Sequence, residues 1–196
     1  MSIINFLYCQ LKTANYFILL PLEIIHTELN DLDFSRWLLE EANAYQTKNG
    51  YSTWTNFDME LIRNEINSKS QYKIIIENEI ACIFSIVYSD KPLWKEMENG
   101  DALYLHRIIV NPKHKGKRLF GNILDWSVQV VNNKGLNFIR MDTWADNPTL
   151  IHYYKTFGFQ FIKNITTSNE PELAPQYRNK FLALMEYEVR KGERQQ

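Results

Sequence analysis

Residues that interrupt chains are scarce here: seven glycines and six prolines in 196 residues. Nowhere do they gather into a low-complexity stretch, an internal repeat or an interdomain linker. Two cysteines, Cys9 and Cys82, are too few for a disulfide framework and too widely separated for a metal-binding pair. Free thiols in a reducing compartment, the cytoplasm, are expected. No uninterrupted apolar run reaches the roughly 18 residues that a bilayer-spanning helix needs, so no membrane partner is expected. Residues 1–20 come nearest, but they lack a basic leading region, Lys12 interrupts them, and no small-residue cleavage site follows. They are expected to be an N-terminal extension rather than a signal peptide. Neither charge sign is in excess: 22 basic against 23 acidic side chains give a net charge of −1. That excludes a surface-wide grip on nucleic acid. Also missing are the GxxxxGK[ST] run of nucleotide-hydrolysing loops, the HExxH and paired CxxC patterns of zinc sites, and the GxSxG elbow of hydrolases.

What is present fits one α/β domain over residues 21–190, followed by a polar tail, 191–196. The apolar fraction of 45% and charged fraction of 23% are those of an ordinary globular chain. A strand is expected over 23–29. A helix follows, with Phe34, Trp37, Leu38, Ala42 and Tyr45 on one face, and stops at Gly50. After the aromatic loop GYSTWTN comes a helix over 58–68, capped by Thr55 or Asn56. Residues 72–77 and 80–88 read as a hairpin across Asn78-Glu79. A loop with Pro92 and Trp94 leads to a strand over 102–110, a helix that Gly135 stops, and a strand over 137–143. Asn147-Pro148 opens a short helix, with Asn as N-cap and Pro in the first turn, that ends near Gly158. Strands over 159–163 and 181–189 complete a mixed, mostly antiparallel sheet of six or seven strands flanked by about four helices.

The chain is organised around Leu103–Phe159. Between its first strand and helix, four cations, Lys113, Lys115, Lys117 and Arg118, fall within six residues beside Gly116. A turn there leaves backbone N–H groups unpaired at a helix N-terminus, where a phosphate is stabilised. The order strand, VxPxxxKG turn, helix, strand, NPxxIxxYYxxFGF resembles the GNAT family of N-acetyltransferases over roughly residues 20–190. The resemblance implies a GNAT-like fold, acetyl-CoA as co-substrate, no metal, and direct transfer of the acetyl group to an amine within a ternary complex. It places Ile108, Ile109 and Val110 along the pantetheine arm. Lys115, Gly116, Lys117, Arg118, Leu119, Phe120 and Gly121 would form the pyrophosphate turn. Asn147 would lie on the cofactor side of the last helix, and Tyr154 would be the general acid. The turn departs from the family pattern, because Arg118 and Phe120 stand where small residues are usual.

Acetyl transfer needs a neutral amine, a polarised carbonyl and a protonated leaving thiolate. Tyr154, with an ordinary phenol pKa near 10, is expected to protonate the thiolate while Tyr153 packs in the core. His106 is the candidate base, with Asp142 and Asp101 as alternatives; His114 and His152 are expected on the surface. A backbone N–H at Ile109 or Val110 would polarise the carbonyl. Tyr51, Trp54, Tyr88, Trp94 and Trp144 are candidate walls of an acceptor pocket. The acceptor is expected to be a small-molecule or amino-acid-like primary amine, with a protein N-terminus or lysine as the within-class alternative, and the protein a monomer or homodimer. The variant turn motivates the other alternative, a catalytically silent CoA-binding module.

Overall fold

The computed structural model describes residues 22–54, 57–171 and 173–190. The expectations for residues 1–20 and 191–196 lie outside the described residues. Strands β1 (Glu23–His26), β2 (Gln71–Ile76), β3 (Glu79–Val87), β4 (Ala102–Val110), β5 (Phe138–Trp144), β6 (Gln160–Thr166) and β7 (Phe181–Glu188) form one sheet. Its order is β1-β2-β3-β4-β5-β7-β6. Every neighbouring pair is antiparallel except β4 and β5, which are parallel. The helices are α1 (Leu32–Lys48), α2 (Met59–Asn67), α3 (Lys91–Trp94), α4 (Phe120–Lys134) and α5 (Pro148–Lys155). The mixed sheet agrees with the pattern in the sequence, with one helix more: the stretch around Pro92, expected as loop, closes a turn.

Local chemistry explains the boundaries. Glu77 and Asn78 both take left-handed backbone, φ 52° and 61°, which lets a two-residue turn follow the sheet's twist. Gly135, at φ 69°, ends α4 in the left-handed cap that only glycine adopts without strain. The Asp58 carboxylate caps α2 by accepting the Glu60 N–H at 2.9 Å. This corrects the expected cap at Thr55 or Asn56, which lie outside the described residues. β1 stops at His26, short of Leu29, because Leu29–Asp31 tighten into a 3-10 turn in which Asp31 accepts the Glu28 N–H at 2.8 Å.

Helices α4 and α5 cover one face of the sheet. Phe120, Ile123, Leu124 and Val131 recur on one side of α4 and bury against Phe84, Leu103, Leu105 and Ile139. Each such side chain contributes about 1.5–3 kcal/mol on leaving water. Across the sheet, Leu38, Leu39, Ile62 and Ile66 of α1 and α2 meet Ile83 and Ile109.

Two irregularities at the centre of the sheet make room for a site. β4 and β5 pair only from Ala102–Phe138 to Leu105–Met141; beyond that point both strands continue without pairing, so they diverge. In addition, Ile83 faces Ile109 while Ser85 faces His106. Arg107 and Ile108 thus both stand opposite Phe84, a bulge that Arg107 enters at φ 47°. The bulge bends β4 away from β5 at the level where the pairing ends.

Candidate active site

The divergence of β4 and β5 encloses a cavity of about 120 Å³. Leu105, Arg107 and Ile108 line it from β4, and Met141, Asp142, Thr143 and Trp144 from β5. Leu150 and Tyr154 of α5 close one side; Gln46, Trp54, Tyr177 and Leu182 close the other. A wider groove of about 570 Å³ runs out along Ile108, Ile109 and Val110 to Lys115, with Tyr45, Tyr51 and Asn147 on its banks.

Trp54 is fixed by two hydrogen bonds to one side chain. Its carbonyl accepts from the Asn43 amide at 2.9 Å, and its N–H donates to the Asn43 oxygen at 3.1 Å. Its ring packs on Trp144 at 5.9 Å between centroids. The same loop is tied to the β5–α5 turn where the Ser52 hydroxyl donates to Asp146 at 2.6 Å. Of the five aromatics expected to wall the pocket, Trp54 and Trp144 line the cavity and Tyr51 the groove. Trp94 is buried beneath the Arg140 guanidinium, and Tyr88 lies under Lys134; neither lines the cavity.

At the basic turn, Gly116 takes φ 86° and Arg118 φ 53°. A Cβ on Gly116 would meet nothing within 4 Å, so glycine serves the backbone conformation there and not a close approach. The Lys117 N–H goes to the His114 carbonyl and the Gly121 N–H to the Arg118 carbonyl. Gly121 is thereby removed as a phosphate donor. The N–H groups of Gly116, Arg118, Leu119 and Phe120 donate to no backbone carbonyl among the described residues. Phe120 turns its ring into the core against Tyr154 and Phe157, and the Arg118 guanidinium lies over Phe157 at 5.0 Å. The Lys115 ammonium sits over Tyr45 at 4.3 Å, across the groove. Four donors at the tip of α4 and two cations beside them fit a diphosphate.

Residues 34–159 match the acetyltransferase (GNAT) family. The chain belongs to that family. Within it, the chain is 23% identical over 133 residues to the uncharacterized N-acetyltransferase YesJ of Bacillus subtilis, a match covering 64% of this chain and 74% of that protein. A GNAT acetyltransferase structure from Listeria monocytogenes superposes with a TM-score of 0.66 at 21% identity, over 86% of this chain and 95% of that one. The spermidine N-acetyltransferase of Vibrio cholerae, solved with CoA and spermine, gives 0.57 at 18% identity, over 86% and 95% of the two chains. The ribosomal-protein-S18-alanine N-acetyltransferase of Escherichia coli gives 0.59 at 13%, over 90% and 99%. Identities this low establish a shared GNAT fold.

In this GNAT family member, Tyr154 is buried and lines the cavity. Burial pushes its phenol above the ordinary range, and Tyr153, Cys82 and Asp142 push the same way. This corrects the expected value near 10 and keeps the phenol protonated at neutral pH. Asn147 caps α5, accepting the Leu150 N–H at 3.0 Å. His106 does not line the cavity. Its ring stands behind Asp142, with Nδ1 3.4 Å from Asp142 Oδ1 and Nε2 3.5 Å from Asp90 Oδ2. His114, expected at the surface, is buried with Nε2 3.4 Å from Glu79. Asp101 is engaged by Arg140 at 3.3 Å.

Three residues that line the cavity, Gln46, Arg107 and Tyr177, were not among those expected there. Arg107 is buried, pairs with Glu65, and donates to the Tyr177 hydroxyl at 3.0 Å. Glu65 also accepts from the Ser85 hydroxyl at 2.8 Å. Gln46 projects from α1. A charged side chain inside the apolar strand LYLHRIIV was the available clue to Arg107; Tyr177, in a polar loop, carried none.

Proposed function

We propose that this GNAT protein is an acetyl-CoA-dependent N-acetyltransferase acting on a small primary amine by direct transfer. The observation that carries the reading is the gap between β4 and β5, with a protonated phenol on one wall and a carboxylate on the other. The groove along Ile108–Val110 would hold the pantetheine arm, and the amides of Gly116, Arg118, Leu119 and Phe120 the diphosphate, with Lys115 and Arg118 adding charge. The acetyl end would then enter the gap between Tyr154 and Asp142. The bulge at Arg107 and Ile108 interrupts the ladder at that depth, which frees strand amides to polarise the carbonyl.

Asp142, rather than His106 directly, is the group placed to accept a proton from the acceptor ammonium. The neutral nitrogen attacks the carbonyl, a C–N bond forms and the C–S bond breaks. The thiolate takes the Tyr154 proton, and the remaining surplus proton on nitrogen returns to the tyrosinate. Because the phenol is buried, a lasting tyrosinate is unfavourable, so these two transfers are coupled. Holding both reactants in one cavity supplies much of the rate by orientation.

The walls also discriminate among acceptors. Arg107 is neutralised by Glu65 and engaged by Tyr177, so it is not free to bind an α-carboxylate. Asp142 and the rings of Trp54, Trp144 and Tyr177 instead suit a cationic amine without a neighbouring acid. Small alkylamines and polyamines fit better than amino acids, in keeping with spermidine as the acceptor named for the Vibrio cholerae neighbour. A cytoplasmic location follows from the need for acetyl-CoA. Calorimetry with acetyl-CoA, then thiol release across a panel of alkylamines, polyamines, amino acids and peptides, tests this. Binding with turnover of amines lacking a carboxylate is expected; acetyl-CoA binding without any turnover would instead leave a silent CoA-binding module.

A further inference from the structure

Asp90 and His106 are not used by the reaction as described, yet they are placed around it with unusual care. Asp90 lies where β3 runs into α3. Its own N–H is held by Glu98 at 2.8 Å, and its carbonyl accepts from Leu93 and Trp94. His106 projects from β4 between Asp90 and Asp142. The His106 side chain is 9% exposed, and each flanking carboxylate 11%. Neither His106 Nδ1 nor Asp90 Oδ2 has a hydrogen-bond partner among the described residues. Buried polar atoms left this way are unfavourable unless a proton or ligand occupies the space between them. The two carboxylates address opposite nitrogens of one ring, an arrangement suited to passing a proton through the imidazole.

We propose that Asp142, His106 and Asp90 form a proton relay that drains the acceptor's proton from the cavity along the α1–α3 face of the sheet toward the start of α3. The inference rests on the acetyl-transfer reading above. The relay requires His106 to carry its proton on Nε2, toward Asp90, and to present the Nδ1 lone pair to Asp142 once Asp142 has taken up the acceptor's proton. The ammonium N–H bond breaks as Asp142 takes the proton, which then passes from the carboxyl to Nδ1. The Nε2 proton moves in turn to Asp90 Oδ2 and from there to solvent, after which the ring returns to its starting tautomer. No electrons are exchanged, and the one proton released matches the stoichiometry of ammonium plus thioester giving amide plus thiol. Asp90 and His106 touch no substrate; they are positioning residues that act through Asp142.

The electrostatics agree. Burial lifts the Asp90 carboxyl to about 6, opposed by His106 and the Leu93 N–H and assisted by Asp142 and Glu98. A carboxyl raised this far above its usual range accepts a proton more readily than an exposed one, which suits it to the last position of the relay. The other groups facing the trio are already engaged: Arg107 with Glu65, and Tyr177, whose ring stands 6.2 Å from that of His106, with Arg107.

The test is thiol-release kinetics on the full-length protein from pH 5 to 9 with saturating acetyl-CoA and the best amine of the panel. Asp90→Asn should lower kcat about tenfold or more, leave the KM for acetyl-CoA unchanged, and flatten the acid limb near pH 6. His106→Ala should lose at least as much and recover part of it when imidazole is added, which removal of a purely structural histidine would not allow. The double variant should be no slower than His106→Ala alone. Wild-type kcat and pH profile in Asp90→Asn, or no imidazole rescue of His106→Ala, would overturn the relay. So would loss of activity on dialysis against EDTA with restoration by manganese or zinc, which would make the trio a cation site. Should Asp90→Asn fail to fold, the imidazole rescue still decides. If wild-type protein binds acetyl-CoA but acetylates no amine, the acetyl-transfer reading fails first and takes the relay with it.

Discussion

The two faces of the sheet are built on opposite principles. The face under α4 and α5 is one apolar body, in which Phe84, Leu103, Leu105, Phe120, Ile123, Ile139 and Phe159 touch without a charge among them. The face under α1, α2 and α3 has its apolar residues split into two clusters. Ionic groups lie along it: Lys73 with Asp31 at 2.6 Å, Glu65 with Arg107, His106 between Asp90 and Asp142, and Arg140 with Glu186 at 2.7 Å. A buried ion pair adds little net stability over an apolar pair of the same shape. The charged face is therefore poorly explained by folding and well explained by chemistry, since it is the face on which Arg107, Asp142 and Tyr177 reach the cavity. One side of the sheet holds the strands at fixed spacing; the other uses that spacing to place charge.

Substitutions on each face sharpen or break this contrast. The largest effect is expected from Phe120→Ala. It empties the contact with Tyr154, Phe157 and Phe159 and should lower unfolding free energy by about 3–5 kcal/mol in urea titration. Glu65→Ala, which strands the Arg107 guanidinium, should cost about 3 kcal/mol. The double change Glu65→Leu with Arg107→Met should return most of that stability without restoring turnover. If the double variant were as unstable as the single, the charged face would be structural after all.

Asp90→Asn should move in the opposite direction. Its carboxyl titrates at about 6 in the fold against 3.8 ordinarily. The raised value means the protonated form favours folding: that contribution is complete below about pH 3.8 and is lost as pH rises through 6. Removing the charge should thus stabilise the protein by about 3 kcal/mol at pH 8 and by almost nothing near pH 4, read from thermal melts at the two pH values. A variant both more stable and slower would mark Asp90 as retained for function. The smallest effect belongs to Arg63→Ala. Arg63 meets Glu60 at 3.2 Å on the exposed side of α2, and its loss should shift stability by no more than about 0.5 kcal/mol.

The apolar face was legible in the sequence, because the helical recurrence of Phe120, Ile123, Leu124 and Val131 and the β-rich runs declare which side is buried. The basic turn and the Asn147-Pro148 start were equally plain, since both depend on residues adjacent in the chain. The charged face was not. His106 looked like a base and stands behind Asp142, outside the cavity; His114 looked exposed and is buried against Glu79. Trp94, offered as a pocket wall, lies beneath Arg140. Each of these depends on which distant residue arrives opposite.

By itself, then, the sequence determined the order of strands and helices, the basic turn at Gly116, the cap at Asn147, and with them membership of the GNAT family. All of these follow from interactions within a few residues. Only the tertiary structure decided which polar groups meet at the cavity. Tyr177 reaches Arg107 across 70 residues and Ser52 reaches Asp146 across 94, contacts set by strand pairing and by the point at which β4 and β5 cease to pair. The bulge at Arg107 turns that divergence into a cavity, and a departure from regular pairing leaves no periodic trace in the chain.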